Sequence, residues 1–219
     1  MRPEIEGISV VLLGAFNPVI FQPAWFASEN LIRKQENETA KIDIVHREAV
    51  IFTTDWLKVE VTRERFVLAT SQVQYYEPLR DLALGTFRIL HHTPIEKMGL
   101  NREFHFLMES EKEWHAIGDA LAPKKLWSGV LESPGMMSIV MQGKRTDKMD
   151  KMKGAINVKV EPSPRVKPGV FIQVNDHYEV EDFEPSKGAG KIIDLVSMVW
   201  KESLSRAEFI AGKVMESAK

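Results

Sequence analysis

The sequence predicts an α+β fold in which helices pack on one face of an antiparallel sheet. Two observations predict it. The order strand, helix, several strands, helix occurs twice along the 219 residues, and runs of strands followed by helices are typical of α+β domains. Within the candidate strands, apolar and polar residues alternate, as expected of a sheet that buries one face and exposes the other.

The first half, residues 1–95, contains the first set of elements. Residues 8–15 form a short β-branched run typical of a buried strand, and Asn17-Pro18 ends it. Pro23 suits the start of a helix over 24–32, and a polar loop is predicted over 33–39. Strands are predicted at 42–45, 49–54, 56–62 and 66–71. Apolar residues at helical spacing predict a helix over 77–92, which Thr93-Pro94 ends.

The second half, residues 96–219, repeats this order without a residue-level repeat. A strand is predicted at 98–108. Ser110 and Glu113 then form a capping box that begins a helix ending near residue 121. Four further strands are predicted at 126–131, 136–143, 155–160 and 170–180, and an apolar stripe predicts a closing helix over 190–215.

The two similar halves are expected to form a single domain, residues 1–219, with one shared sheet. This order resembles the TATA-binding-protein-like and helix-grip folds, in which helices cover one face of a curved antiparallel sheet. A likeness at the level of the fold carries no function by itself.

Alternation along the strands at 98–108 and 170–180 predicts a polar sheet face. Leu100, Phe104 and Phe106 fall on the apolar side of the first strand, and Ile172 and Val174 on that of the second. The opposite side is the largest candidate surface for a ligand or partner, and an ordinary solvated sheet is the alternative. Its candidate contact residues are Asn101, Glu103, His105, Gln173, Asn175 and His177.

His105 and Glu103 share this polar face. A histidine near a carboxylate can act as a general base or bind a metal, but a catalytic site needs convergent groups that these strands do not indicate. We therefore predict no catalytic residue, no metal site and no cofactor.

Arg102 and Asp176 occupy the apolar register of the same two strands. A buried charge is costly unless it is paired. We interpret the two residues as a candidate buried charge pair, with a position at the strand ends as the alternative.

A basic excess lies in residues 144–167, which hold eight Lys or Arg residues against three Asp or Glu residues. Such a segment could contact phosphates, although no aromatic residue interleaves it for base stacking. A solvated hairpin loop is the alternative. The candidate phosphate contacts are Lys144, Arg145, Lys148, Lys151 and Lys153.

Composition excludes several classes of protein. The chain has no cysteine, which excludes disulfides, thiolate metal sites and cysteine nucleophiles, and its net charge of −2 does not fit a strongly basic nucleic-acid coat. The first apolar run follows Glu4 and Glu6 instead of basic residues, so a secretory signal is not expected. We expect a cytoplasmic protein that does not associate with membranes.

The element order, the strand GLNREFHF and the closing helix IIDLVSMVWKESLSRAEFIAGKV resemble a sporadically distributed bacterial protein family of unknown function. This resemblance covers most of the chain. It implies a bacterial source and a mobile or defence-associated locus, and it implies no catalytic residues.

From the residues we expect a non-enzymatic binding or assembly module that acts through the polar sheet face on a protein partner or as a homo-oligomer. Two alternatives stay open. The protein could bind or hydrolyse a small ligand in a pocket between the sheet and the closing helix. It could also bind nucleic acid through residues 144–167.

Overall fold

The computed structural model of the protein describes residues 1–144, 153–180 and 183–217, in which nine strands and five α-helices are found. The strands are β1 Ile5–Gly14, β2 Lys41–His46, β3 Ala49–Thr53, β4 Lys58–Thr62, β5 Arg65–Thr70, β6 Ile95–Leu107, β7 Ile139–Lys144, β8 Lys153–Pro162 and β9 Gly169–Glu179. The helices are α1 Pro23–Ser28, α2 Lys34–Glu38, α3 Tyr76–Ile89, α4 Glu111–Leu121 and α5 Gly190–Glu216.

One continuous sheet joins the two halves in the order β2-β3-β4-β5-β1-β6-β9-β8-β7, and every neighbouring pair is antiparallel. The first strand of each half, β1 or β6, pairs with the last strand of that half, β5 or β9. The halves meet where β1 pairs with β6 at the centre of the sheet.

The core lies on one face of this sheet because the register brings the apolar positions of neighbouring strands side by side. Val10 lies opposite Leu68 on β5 and opposite Leu100 on β6, and all three are buried. Residues of α3 and α5, among them Leu79 and Trp200, pack on the same cluster. The predicted α+β class with an antiparallel sheet is confirmed.

Two predicted elements differ in type in the structure, and the helix predicted over 24–32 ends earlier, at Ser28. The predicted loop at 33–39 contains the short helix α2. Here the backbone N–H of Arg33 donates to Glu36 Oε2 at 2.7 Å, and the Arg33 guanidinium donates to Glu36 Oε1 at 2.9 Å. Trp56 Nε1 also donates to that carboxylate at 2.7 Å. The polar composition of this segment predicted a loop, but the segment forms a helix whose first turn is stabilised by the Glu36 carboxylate.

The predicted strand at 126–131 is wrong. A 3-10 turn, Lys124–Leu126, is followed by turns in which Gly129 has a φ of 97° and Ser133 a φ of 51°. These left-handed conformations are incompatible with an extended strand. The second half therefore has three strands after α4, where four were predicted.

Arg102 and Asp176 are buried as predicted, but they do not pair with each other. Arg102 lies opposite Val174 in the β6–β9 register, two residues from Asp176. Its Nη2 contacts Glu6 Oε2 of β1 at 2.7 Å and Glu208 Oε1 of α5 at 3.6 Å. The guanidinium also lies 4.6 Å from the ring centroid of Tyr76, a distance typical of a cation–π contact.

Asp176 has a different basic partner. Its Oδ2 accepts hydrogen bonds from Arg206 Nη1 of α5 at 2.5 Å and from Tyr178 Oη at 3.2 Å. Arg206 in turn contacts Glu202 on its own helix at 2.6 Å. A cation on β6 and an anion on β9 thus both face α5, which supplies one residue of the opposite charge to each.

We predict that Arg206→Met lowers the free energy of unfolding by about 3–5 kcal/mol, because it leaves the Asp176 carboxylate, 2% exposed, without its guanidinium. The matched control is Lys213→Met on the same helix, whose exposed pair with Glu216 is expected to contribute less than about 1 kcal/mol. Urea denaturation of both variants measures the difference. Equal losses in the two variants would contradict this account of α5.

Candidate functional site

The six predicted contact residues all lie on the sheet face opposite the helices, which we call the open face. In the β6–β9 register, Asn101 lies opposite Asn175 and Glu103 opposite Gln173. The two histidines are farther apart. His177 lies opposite Gly99 and His105 lies opposite Phe171, a separation of about 20 Å for six residues at ~3.4 Å each.

A row of hydrogen-bonded side chains crosses five strands of the open face. Gln142 donates to Asn157 at 2.8 Å, Asn157 to Asn175 at 3.1 Å, Asn175 to Asn101 at 2.6 Å, and Asn101 to Ser9 at 3.2 Å. These residues are neighbours in register on β7, β8, β9, β6 and β1. We call this row the polar ladder.

Each internal amide of the polar ladder donates towards β1 and accepts from the β7 side. A primary amide has two N–H donors and two acceptor lone pairs. Asn101, Asn175 and Asn157 therefore each keep one donor and one lone pair for a molecule that lies on the face. Because the ladder fixes the amide orientations, these groups are presented in a regular row.

His177 takes part in an ion-pair group at one end of the open face. Its Nε2 lies 3.3 Å from Glu179 Oε1, and Lys97 Nζ lies 3.7 Å from the same oxygen. Both contacts are partly exposed, so this group is a feature of the solvated surface.

His105 differs because it is 97% buried although it lies on the open face. Its ring packs on Phe171 at 4.8 Å, and Nδ1 lies 2.8 Å from Ser163 Oγ. That oxygen also accepts the backbone N–H groups of Arg165 and Val166, each at 3.1 Å. Since both lone pairs of the hydroxyl are then used, its proton points to Nδ1 and the imidazole proton lies on Nε2.

The surroundings of His105 favour this neutral form. Burial lowers the pKa of His105 below its ordinary value of 6.5, and the positive charge of Arg165 acts in the same direction. The carboxylate of Glu103 opposes both effects without reversing them. His105 is consequently a neutral hydrogen-bond donor at pH 7.

The basic segment is described only in part. Lys144 ends β7 and Lys153 begins β8, and together with Asn157 and His177 they line a groove of about 690 Å³ at the edge of the sheet. Arg145, Lys148 and Lys151 lie outside the described residues, so their role as phosphate contacts stays a prediction.

Sequence reasoning missed a set of exposed apolar side chains between α4 and the end of β7. Trp127, Leu131 and Met137 line a shared cleft of about 270 Å³ in the connection that precedes β7. Exposed apolar side chains continue along β7, the last strand of the sheet. We call this set the apolar edge, and its members are Leu126, Trp127, Val130, Leu131, Met137, Val140 and Met141. The available signal is the largely apolar run LWSGVL at 126–131, which we interpret above as a strand.

Among the described residues, no three histidine, aspartate or glutamate side chains come together as metal ligands, and none of the helices has the length and hydrophobicity that a membrane-spanning helix requires. No protein-family model matches the chain, and a comparison with curated proteins gives no match. The resemblance to a bacterial family thus stays a prediction, and function has to be inferred from the surfaces described above.

We predict that the neutral His105 makes the fold sensitive to acid. Below pH ~6.5 the unfolded chain binds a proton at this residue that the folded chain does not, so the free energy of unfolding falls as the pH falls. The slope from this residue is at most about 1.4 kcal/mol per pH unit.

Urea denaturation at about pH 7.5 and about pH 5.5 checks this, since histidines titrate in that range. The loss of stability between the two pH values should be smaller in His105→Gln than in the unchanged protein. It should be unaltered in His115→Gln, because His115 is exposed on α4. An unaltered loss in His105→Gln would show that the residue is not held neutral.

Proposed function

We propose that the protein is a non-enzymatic binding or assembly module whose open face receives a protein partner or a second copy of the chain. The observation that carries this proposal is the continuity between the polar ladder and the apolar edge. Gln142, the last member of the ladder, shares the open face of β7 with the exposed Val140, two residues away, and Met141 projects from the opposite face of the same edge strand. A polar recognition surface and an apolar patch therefore adjoin each other.

The apolar edge favours a protein over other macromolecules. Clusters of exposed apolar side chains, such as Trp127, Leu131 and Met137 around their shared cleft, are typical of protein interaction sites, and aromatic residues and methionine are enriched in protein interfaces. Trp127, Met137 and Met141 fit that composition, and each is about half exposed or more.

The free backbone of β7 supports the same proposal. As the last strand in the sheet order, β7 pairs only with β8 among the described strands. An edge strand presents unpaired N–H and C=O groups to another chain, and proteins often use such an edge to add a strand from a partner.

The charge of the open face favours a polar protein surface over nucleic acid. Lys58 lies 2.5 Å from Glu60 and Lys159 lies 2.7 Å from Glu161, so these cations are already neutralised by carboxylates. Nucleic-acid binding depends on several cations that together neutralise backbone phosphates.

The interior between the sheet and α5 gives less support to a ligand pocket there. Leu195, Val199 and Trp200 of α5 are buried against the sheet and fill this space. Our proposal includes the cytoplasmic location expected from the sequence.

We predict that the protein forms a homo-oligomer or a complex with a partner protein. Substitutions on the open face and apolar edge are expected to lower the affinity of this association at least tenfold. Tenfold corresponds to about 1.4 kcal/mol, which is typical of one important interface side chain. The variants are Asn157→Ala in the polar ladder and Met141→Ser in the apolar edge. Light scattering over a range of concentrations and affinity capture from the source cell provide the measurements.

The matched control is Met198→Ser on α5, because Met198 is 69% exposed and Met141 is 62% exposed. The control variant should associate as the unchanged protein does. A monomer at all concentrations, with the same captured proteins for Asn157→Ala, Met141→Ser and the unchanged chain, would contradict the proposal.

A further inference from the structure

A second feature of the open face, independent of the apolar edge, is a cleft of about 610 Å³ beside His105. Its floor is formed by small residues of the central strands, Gly7 and Ser9 of β1 and Ala69 of β5. His105 of β6 lies on one side, and the β3–β4 connection, which includes Asp55, lies on the other. The cleft is concave because these floor residues of the central strands have small side chains. Its volume suits a ligand of the size of a metabolite.

The His105 ring contributes a hydrogen-bond donor to this cleft. Nδ1 is occupied by Ser163, which leaves the proton on Nε2. Nε2 makes no hydrogen bond to the described residues and is not among the fully buried side-chain atoms that lack a partner, so it is reachable from the cleft that His105 lines. The result is a neutral, fixed N–H donor on a side chain that is otherwise buried.

Arg165 places a positive charge at the same wall. Its side chain lines the cleft and is exposed, and it has no ion-pair partner among the described residues. Its backbone N–H bonds to Ser163 Oγ, the same hydroxyl that orients His105. One buried serine thus holds both the loop that carries Arg165 and the imidazole.

The acidic groups of the cleft do not occupy these two donors. Glu103 Oε1 accepts a hydrogen bond from Gln173 at 2.9 Å, and Glu60 is paired with Lys58. Asp55 lies in the β3–β4 connection, beside Trp56 on the wall away from His105. Glu103 lies on the same strand as His105, but its carboxylate is held by Gln173. On the opposite side, Asp55 is an acidic group without an ion-pair partner among the described residues.

We propose that this cleft binds a small organic acid whose oxyanion, a carboxylate or a phosphate, accepts hydrogen bonds from His105 Nε2–H and from the Arg165 guanidinium. An arginine suits such a group because its planar donors match the geometry of both oxyanions. Hydroxyl or amino groups at the other end of the ligand would face Asp55. This binding is separate from the association with a protein partner.

The experiment follows the imidazole nitrogens of His105 by NMR in the isolated full-length protein at about pH 7.5, where the ring is neutral. Inorganic phosphate and acetate are added separately, up to about 30 mM, which allows detection of millimolar dissociation constants. Sodium chloride at equal ionic strength is the reference. A saturable shift with phosphate alone identifies a phosphate site, and one with acetate identifies a carboxylate site.

Two variants test the assignment of the residues. Arg165→Gln should weaken binding at least tenfold, and Ala69→Phe should abolish it by filling the floor of the cleft. Arg88→Gln, at an exposed position on α3, should bind as the unchanged protein does. The signals of the other histidines report whether each variant is folded.

The proposal would be overturned by the absence of a saturable shift with either anion, or by a shift that Arg165→Gln and Ala69→Phe leave unchanged. Because the isolated protein is used, such a result leaves the proposed partner surface unaffected, and failure of the association experiments does not affect this one.

Discussion

The buried charges of β6 and β9 fix the position of α5, and the position of α5 determines which face of the sheet stays open. Arg102 is 1% exposed, and Asp176 meets Arg206 from the helix at 2.5 Å. Moving α5 along the sheet would leave the Asp176 carboxylate buried without its guanidinium, which is far more costly than losing an exposed ion pair. The charge arrangement therefore specifies one placement of the helix.

The environment of Arg102 shows how the core accommodates this charge. Its guanidinium lies 4.6 Å from the ring centroid of Tyr76 and 4.9 Å from that of Phe104, and Glu6 and Glu208 supply the negative charge. Burial raises the pKa of Tyr76 to about 12; the positive charge of Arg102 opposes this rise and the Glu6 and Glu208 carboxylates add to it. Tyr76 is therefore neutral, as a ring beside a buried cation should be.

Because the helices cover one face of the sheet, the polar side chains of the open face form hydrogen bonds with one another and with nearby loop residues. The hydrogen bonds of the polar ladder cross five strands, and Ser163 is hydrogen-bonded to His105. In both arrangements, some hydrogen-bond donors or acceptors stay directed towards the solvent. The surface that the fold leaves uncovered is thus also the surface on which hydrogen-bonding groups are held in place, and this is the physical basis of our functional proposal.

Alternation predicted which residues share the open face, because strand periodicity is a local property. It could not predict their partners. Ser163 is 58 residues from His105 and Glu6 is 96 residues from Arg102, so only the fold reveals that His105 is buried and that Arg102 pairs with β1. The strand prediction at 126–131 is wrong because it also depends on local sequence alone. An apolar run can be exposed for a partner as well as buried in a sheet, and local pattern does not separate the two cases.

Site-specific photo-crosslinking in the source cell can test whether a partner contacts the open face at its β7 end. A benzophenone amino acid replaces Gln142 on the open face in one protein and Met198 on α5 in another, both being exposed positions. We expect a crosslinked product, either with a second chain or with another protein, from position 142 and none from position 198. Crosslinking from position 198 alone would contradict it.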